Sequence, residues 1–202
     1  AKGNVMRTFW SQIMITLCFI SLTACTVFGD VSVKVAPYKV TEIDGVFELR
    51  HYERLVLVST SMPDGMESAS GPFRKLFDYI SGKNDKIEEI AMTAPVLIDQ
   101  TGQVSETMSF VLPEEFELLT APAPTDSSVK ITELTHYTVA VITYSGFLNQ
   151  NTISKKTALL KNWVDKKGLK INGMAKAAGY NPPFTLPFLR RNEIFLPVEM
   201  PG

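Results

Sequence analysis

The alternation of apolar and polar residues predicts the same order of elements twice along the chain. Four segments of the first half alternate in this way and are predicted as strands: residues 46–52, 55–61, 91–98 and 106–112. Between the second and third strands, apolar residues recur at the spacing of one helical face: Phe73, Leu76, Phe77 and Ile80. Pro72 suits the first turn of this helix, and Gly82 suits its end.

The second half repeats this order after a connector rich in Pro and Ser at residues 120–128. Its predicted strands are residues 129–134, 138–144, 174–179 and 192–198. Its predicted helix spans about residues 152–167, ends at Gly168, and has an inward face formed by Ile153, Leu160, Trp163 and Val164. This repeated order indicates an α+β domain in which curved antiparallel sheets carry both helices.

The N-terminal residues resemble an export signal. Arg7 supplies a positive start, and residues 13–24 (IMITLCFISLTA) form an apolar segment. This segment is too short for a membrane-spanning helix, which needs about 20 apolar residues. It ends in Leu22-Thr23-Ala24-Cys25, which resembles the lipobox of bacterial lipoproteins, where the cysteine carries the lipid. An ordinary secretory leader with a chance cysteine, or an uncleaved anchor, is the alternative.

This interpretation divides the chain into an export leader at residues 1–25, a tether at 26–36 and a folded domain at 37–199. Cys25 is the predicted lipidation site, through diacylglycerol and palmitate chains, and the lipid bilayer is therefore a predicted partner. Thr26 follows the cysteine where an Asp would retain the protein at the inner membrane. In a Gram-negative cell we expect a lipid-anchored envelope protein on the outer membrane, facing the periplasm.

Composition narrows the possible functions. The chain is 45% hydrophobic and 20% charged, its net charge is −1, and it has no basic tract, which disfavours nucleic-acid binding. The only two cysteines, Cys18 and Cys25, exclude a disulfide framework and a thiolate zinc site in the domain. The G-x-S-x-G, H-E-x-x-H, P-loop and G-x-G-x-x-G motifs are absent from the sequence, so we expect a protein that is not an enzyme.

Five segments, in order, resemble the SOUL haem-binding family: residues 38–52 (YKVTEIDGVFELRHY), 84–96 (NDKIEEIAMTAPV), 122–131 (PAPTDSSVKI), 141–147 (VITYSGF) and 179–196 (GYNPPFTLPFLRRNEIFL). The most specific pieces are M-T-x-P-V, Y-x-G-[FY] and the terminal G-Y-x-P-P…R-R-N-E-I. The resemblance implies a distorted antiparallel β-barrel of two similar halves with two main helices. It also implies that haem or a related tetrapyrrole binds noncovalently in an apolar groove.

A noncovalent haem site needs an apolar slot for the ring and cations for the propionates, and an axial ligand is optional. His51 is the candidate metal ligand, because it shares strand parity with Phe47 and Leu49 and lies at the edge of an apolar pocket if that face is inward. A partly exposed histidine at a strand end is the alternative. His136 is expected in a hairpin turn, and a bis-histidine site would require both histidines to converge.

Five further residues are candidates for the haem site: Met62, Phe73, Phe77, Arg190 and Arg191. Met62 offers a soft thioether, and the two phenylalanines offer walls for the ring, although core packing is the commoner use of both residue types. The arginine pair follows an aromatic loop at residues 182–188 and suits propionate clamping, because guanidinium binds carboxylate bidentately. A structural ion pair with Glu193 is the alternative for the arginines.

The function expected from the resemblance is that of a tetrapyrrole carrier or buffer at the cell envelope, with haem as its cofactor. A binding module for another amphipathic small molecule is the first alternative. An envelope scaffold that binds protein partners is the second.

Overall fold

The computed structural model describes residues 33–99 and 106–200. The predicted leader, its lipidation site Cys25 and the predicted tether as far as residue 32 lie outside these residues. Among the helices of the described part, none has the length and apolar character needed to cross a membrane.

Ten strands and two α-helices make up the described residues. The strands are β1 (Lys34–Val35), β2 (Lys39–Asp44), β3 (Phe47–Met62), β4 (Thr93–Ala94), β5 (Val96–Asp99), β6 (Glu106–Val111), β7 (Val129–Tyr144), β8 (Lys170–Ile171), β9 (Lys176–Gly179) and β10 (Asn192–Glu199). The α-helices are α1 (Ser70–Ile80) and α2 (Gln150–Lys166), and short 3-10 helices lie at Gly65–Ser68 and Pro187–Leu189.

Two strands are much longer than the sequence pattern predicts. The predicted strands 46–52 and 55–61 are one continuous strand, β3, and 129–134 and 138–144 are one continuous strand, β7. The predicted hairpin turn at His136 is therefore wrong, because His136 lies inside β7 with a φ of 49°. The polar residues that suggested turns mark a bend shared by the two strands, which pair with each other on both sides of it.

Six strands close into an antiparallel barrel. Their spatial order is β3, β6, β5, β9, β10 and β7, and the pairing of β7 with β3 closes the ring. Two short strands extend it, since β2 pairs with β3 and β8 pairs with β10. β1 and β4 pair in parallel as a separate two-stranded sheet. Closure gives every barrel strand a partner on both sides, which removes the free edges of an open sheet. The predicted α+β class, a distorted antiparallel barrel with two helices, is confirmed.

Both α-helices pack on the outer face of the barrel wall. Asn149 caps α2, since its side-chain oxygen accepts a hydrogen bond from the Thr152 N–H at 2.9 Å. Trp163 of α2 stacks on Phe47 of β3 with ring centroids 5.4 Å apart. The Trp163 Nε1 also donates to the Asp44 carboxylate at 2.9 Å. These contacts attach α2 to the hairpin of β2 and β3.

The barrel wall separates two apolar clusters. The outer cluster lies between the wall and the helices and includes Leu76 of α1 and Leu160 of α2, both 0% exposed. The inner cluster fills the barrel: Ala36, Tyr52, Leu55, Leu57, Leu97, Val111, Val139, Val141, Ala178 and Phe195.

Candidate functional site

The candidate site forms where β3 and β7 bend together. Up to Tyr52 the even-numbered residues of β3 face the barrel interior, whereas beyond the bend the odd-numbered residues, such as Leu55, do so. β7 makes the matching switch at His136, which lies opposite Glu53. The positive φ of His136 is uncommon for a residue with a side chain, and it accompanies this switch. The bend thereby brings His51, Glu53 and His136 to one place on the outer face.

A cavity of about 450 Å³ opens beside this bend, and we call it the rim cavity. Its walls come from the start of β2, the bend of β3 and the segment after β6. Its apolar lining is Ala36, Pro37, Tyr38, Leu55, Val56, Val111, Leu112, Pro113 and Phe116, and its polar lining is Lys39, His51, Glu53, Arg54 and Glu114. Apolar walls with a few polar groups are typical of small-molecule sites.

His51 lies at the edge of the rim cavity with 26% of its side chain exposed. Its Nδ1 is 3.0 Å from the hydroxyl of Thr138, its partner across the strand pair. When Nδ1 donates this hydrogen bond, the lone pair of the neutral ring lies on Nε2. Nε2 is 3.7 Å from a carboxylate oxygen of Glu53. His51 lies at the edge of the rim cavity, but its face of β3 is the outer one, so the inward face on which the prediction depended is not found.

Two cations line the mouth of the rim cavity. Lys39 donates to Glu53 at 3.0 Å, and this hydrogen bond and charge hold the pKa of the Glu53 carboxyl below its usual value. Arg54 donates to Glu117 at 2.8 Å and to the carbonyl of Glu114 at 3.2 Å. Exposed ion pairs of this kind contribute little free energy. Both cations can therefore exchange their present partners for an anionic group of a ligand.

The two histidines of the chain converge at this place. The ring centroids of His51 and His136 are 6.1 Å apart, and the Nδ1 of His136 is 3.7 Å from the second carboxylate oxygen of Glu53. His136 is 80% exposed and lies outside the lining of the rim cavity. The convergence depends on the pairing of β3 with β7, so the sequence pattern alone did not indicate it.

The other apolar candidates lie away from the rim cavity. Met62 is 1% exposed and packs in the outer cluster, where it fills the core. Phe73 and Phe77 stack on each other on α1 with ring centroids 6.2 Å apart and are 39% and 49% exposed. The fully buried stripe of α1 is formed by Leu76, Tyr79 and Ile80. A ligand contact of Met62, Phe73 or Phe77 stays a prediction.

Arg190 holds the loop that precedes it. Its guanidinium donates to the carbonyl of Thr185 at 2.7 Å and to the carbonyl of Pro183. It also lies over the ring of Phe147, 5.6 Å from the centroid. Through these contacts the guanidinium of Arg190 stabilises the conformation of an apolar loop. In this loop Phe184 is 85% exposed and Phe188 is 70% exposed. A contact between Arg190 and a ligand stays a prediction.

Arg191 forms the structural ion pair that the sequence offered as the alternative to propionate clamping. Its Nη2 donates to Glu193 at 2.7 Å, and its Nε donates to the same oxygen at 2.9 Å. The guanidinium also lies 4.0 Å above the ring centroid of Tyr180. These contacts occupy two of the guanidinium nitrogens of Arg191. Propionate binding by Arg191 would therefore require its hydrogen bonds to Glu193 to break.

Glu193 belongs to a buried charge cluster that the sequence reasoning missed. Arg50 is 1% exposed and Glu193 is 0% exposed, and their two hydrogen bonds measure 2.7 and 3.0 Å. Tyr180 adds a hydrogen bond to Glu193 at 2.6 Å. Burial opposes ionisation of Glu193, but the hydrogen bonds and charge of Arg50 hold its pKa below the usual carboxyl value. The available signal was Arg50 itself, which shares strand parity with inward-facing Tyr52.

A second cavity is a poorer site for a flat apolar ring. It has a volume of about 550 Å³ and lies at a polar mouth of the barrel. Its lining is mostly hydroxyl and charged side chains: Ser59, Thr60, Ser61, Asp99, Thr107, Ser109, Ser128, Lys130, Thr132 and Lys176. Because an apolar ring gains little from contact with such groups, the rim cavity is the better candidate.

Comparison with solved structures identifies proteins with the same fold. The C-terminal domain of EcmrR matches with a TM-score of 0.59 at 11% identity, over 80% of this chain and 98% of that one. A hydrolase from Listeria innocua matches with a TM-score of 0.54 at 11% identity, over 79% of this chain and 94% of that one. At this identity the likeness concerns the fold alone.

Sequence comparison identifies nearer relatives. Heme-binding protein 2 of Homo sapiens is 34% identical over 161 residues, which are 75% of this chain and 78% of that protein. Heme-binding protein 2 of Mus musculus is 32% identical over 170 residues, which are 80% of this chain and 82% of that protein. The family described as SOUL heme-binding protein matches residues 33–197. The match covers both helices and all of the barrel except the last two residues of β10, and the chain therefore belongs to the SOUL heme-binding protein family.

Proposed function

We propose that this protein binds haem or a related tetrapyrrole noncovalently in the rim cavity, beside His51. The observation that carries the proposal is that an apolar cavity has a histidine, His51, at its edge. Family membership and the names of the relatives support the same ligand class.

The rim cavity suits part of a macrocycle. Its volume of about 450 Å³ lies within the usual range for small-molecule sites, which is roughly 300–1,000 Å³. Tyr38 and Phe116 offer aromatic surface, and Leu55, Val111 and Leu112 offer aliphatic surface. Burial of one edge of the ring against these walls supplies affinity that does not depend on iron.

His51 is the proposed axial ligand of the iron. In the tautomer whose Nδ1 donates to Thr138, this hydrogen bond orients the ring and leaves the lone pair of Nε2 for the metal. Lys39 and Arg54 at the cavity mouth are the proposed partners of the propionates, since charged donors bind carboxylates strongly. Arg190 and Arg191, the cations predicted for this role, already hold partners within the protein.

The proposal is tested by titrating the purified protein with haem and, in parallel, with metal-free protoporphyrin. We expect a shifted Soret band for the wild type. His51→Ala is expected to weaken haem binding by at least about tenfold, because even groups that only support a metal ligand contribute that much. Protoporphyrin binding should change little, because that ring has no iron for His51 to coordinate. His136→Ala is the matched control and should leave the haem titration unchanged.

A second variant decides between the rim cavity and the exposed face of α1. Phe73→Ser/Phe77→Ser removes two aromatic rings that do not line the rim cavity. We expect it to bind haem as the wild type does. Lost binding here together with an unchanged His51→Ala titration would move the ligand to α1. Absence of any Soret change in the wild type would contradict haem binding itself.

We further propose that the protein acts as a tetrapyrrole carrier or buffer and is tethered to the cell envelope through a lipid on Cys25. The support for the tether is the apolar segment at residues 13–24 and the lipobox-like run that ends in Cys25. The full-length protein, expressed in a Gram-negative host with labelled palmitate, is expected to carry label in the membrane fraction. Cys25→Ser should abolish the label, with Cys18→Ser as the matched control. Equal labelling of both variants would contradict lipidation at Cys25.

A further inference from the structure

The bend of β3 and β7 gathers three potential metal ligands on one face. His51 and Glu53 are two residues apart on β3 and point to the same side, and Glu53 lies opposite His136 of β7. One ligand atom from each of the three residues lies within 4.8 Å of the others. These are the only two histidines of the chain, and both belong to this group.

We infer that His51, Glu53 and His136 form a binding site for a divalent transition metal of the zinc class, and that this ion competes with haem iron for the Nε2 of His51. Two imidazoles and one carboxylate are a common ligand set for such ions. Three protein ligands leave a fourth position for water. The ion would be bound through His51 Nε2, His136 Nδ1 and the Glu53 carboxylate.

Metal binding requires side-chain adjustments that the exposure of the ligands allows. Each histidine nitrogen is 3.7 Å from an oxygen of Glu53. Around a tetrahedral zinc with bonds of about 2.1 Å, neighbouring ligand atoms are about 3.4 Å apart. The ligand atoms lie within 4.8 Å of one another, so the longest separation has to shorten by up to about 1.4 Å. Glu53 is 59% exposed and His136 is 80% exposed, so both side chains have room to rotate by this amount.

Two features around the ligands favour metal binding. Thr138 holds the Nδ1 of His51, which is the outer contact that metal-binding histidines usually have. His136 adopts a φ of 49°, and strained backbone of this kind tends to occur at functional sites.

Lys39 is the present partner of the carboxylate and would compete with the ion. Its ammonium lies 3.0 Å from Glu53, but its side chain is 74% exposed and can turn away into solvent. A metal ion would take the place of this cation at one oxygen. Removal of Lys39 should therefore strengthen metal binding. The same substitution should weaken haem binding, because Lys39 is the proposed propionate partner.

The test is a Zn²⁺ titration of the tag-free full chain, followed by calorimetry and by NMR of the imidazole groups. Since the chain has two histidines, the spectrum holds two imidazole spin systems, and we expect both to shift with one equivalent of Zn²⁺. His136→Ala and Glu53→Gln should each weaken Zn²⁺ binding at least about tenfold, and Lys39→Met should strengthen it. The variants are compared with the wild type because Cys18 and Cys25 also offer thiols to zinc.

Each outcome is decisive for the zinc site. Unmoved His136 signals at excess Zn²⁺, wild-type affinity in His136→Ala, or weaker binding in Lys39→Met would overturn it. The haem titration of His136→Ala separates the two proposals, because the variant should lose Zn²⁺ binding and keep haem binding. If the wild type did not bind haem, the Zn²⁺ titration would still test the zinc site independently.

Discussion

Glu193→Gln is expected to lower the free energy of unfolding by about 3–5 kcal/mol, the cost of breaking a buried ion pair from one side. The substitution keeps the shape of the side chain and removes its charge. Arg50, which is 1% exposed, would then keep only the partly exposed Glu48, 2.6 Å from its Nε, as a counter-charge, and Arg191 would lose its partner. Denaturant unfolding followed by circular dichroism measures the change.

The same substitution elsewhere on β10 is the matched control. Glu199 is paired with Lys170 at 2.9 Å, but their side chains are 44% and 77% exposed. Glu199→Gln should therefore cost less than about 1 kcal/mol. Equal costs for the two variants would show that the buried cluster contributes no more than a surface ion pair.

A double variant distinguishes the cost of leaving one charge unpaired from the net contribution of the ion pair to stability. Arg50→Met/Glu193→Leu replaces both charges with apolar side chains, and such replacements of buried pairs are often close to neutral. We expect the double variant to be more stable than Glu193→Gln. Arg191 keeps access to solvent, because 37% of its side chain is exposed. A double variant less stable than Glu193→Gln would contradict this account.

Lowering the pH should remove the contribution of Glu193 to the free energy of unfolding. Its pKa in the folded protein is held below the ordinary carboxyl value of 4.5 by Arg50, despite burial. A carboxyl group whose pKa is lowered by folding stabilises the fold at pH values above its pKa in the unfolded chain. This stabilisation is lost as the pH falls through its pKa in the folded protein. The stability difference between wild type and Glu193→Gln should therefore be full near neutrality and shrink below about pH 4.5. A difference that grows in acid would contradict the sign.

Phe195→Ala is expected to destabilise the barrel by about 3–5 kcal/mol, through lost apolar burial and the cavity left behind. Phe195 is 1% exposed in the inner cluster, with its ring 6.0 Å from that of Tyr52. It lies on β10 between Val141 of β7 and Lys176 of β9, where the wall is held by pairing on both sides. Thermal and denaturant unfolding measure the loss.

Phe188→Ala is the control for the same change in side chain. Phe188 is 70% exposed on the loop before β10, so we expect its removal to change stability by less than about 0.5 kcal/mol. A small cost for Phe195→Ala would mean that the inner cluster collapses around the missing ring. In that case the lumen would be less tightly packed than its burial indicates.

The sequence by itself determined most of the secondary structure and the family. The apolar stripe of the first helix predicted α1 within a few residues, and the residues predicted to face inward on α2 are the ones that its buried face contains: Ile153, Leu160, Trp163 and Val164. These features are local, since a helix face depends on residues three and four apart. The ordered motifs from residue 38 to residue 196 indicated the SOUL family, which the comparison confirmed.

The tertiary structure alone decided how the strands are joined and where the candidate site lies. Polar residues near 53 and 136 predicted turns, yet β3 and β7 continue through them, because each strand hydrogen-bonds to the other along its length. His51 contacts Thr138 across 87 residues of sequence, and Arg50 contacts Glu193 across 143. Such contacts depend on strand register and barrel closure, which bring together residues that no local pattern relates.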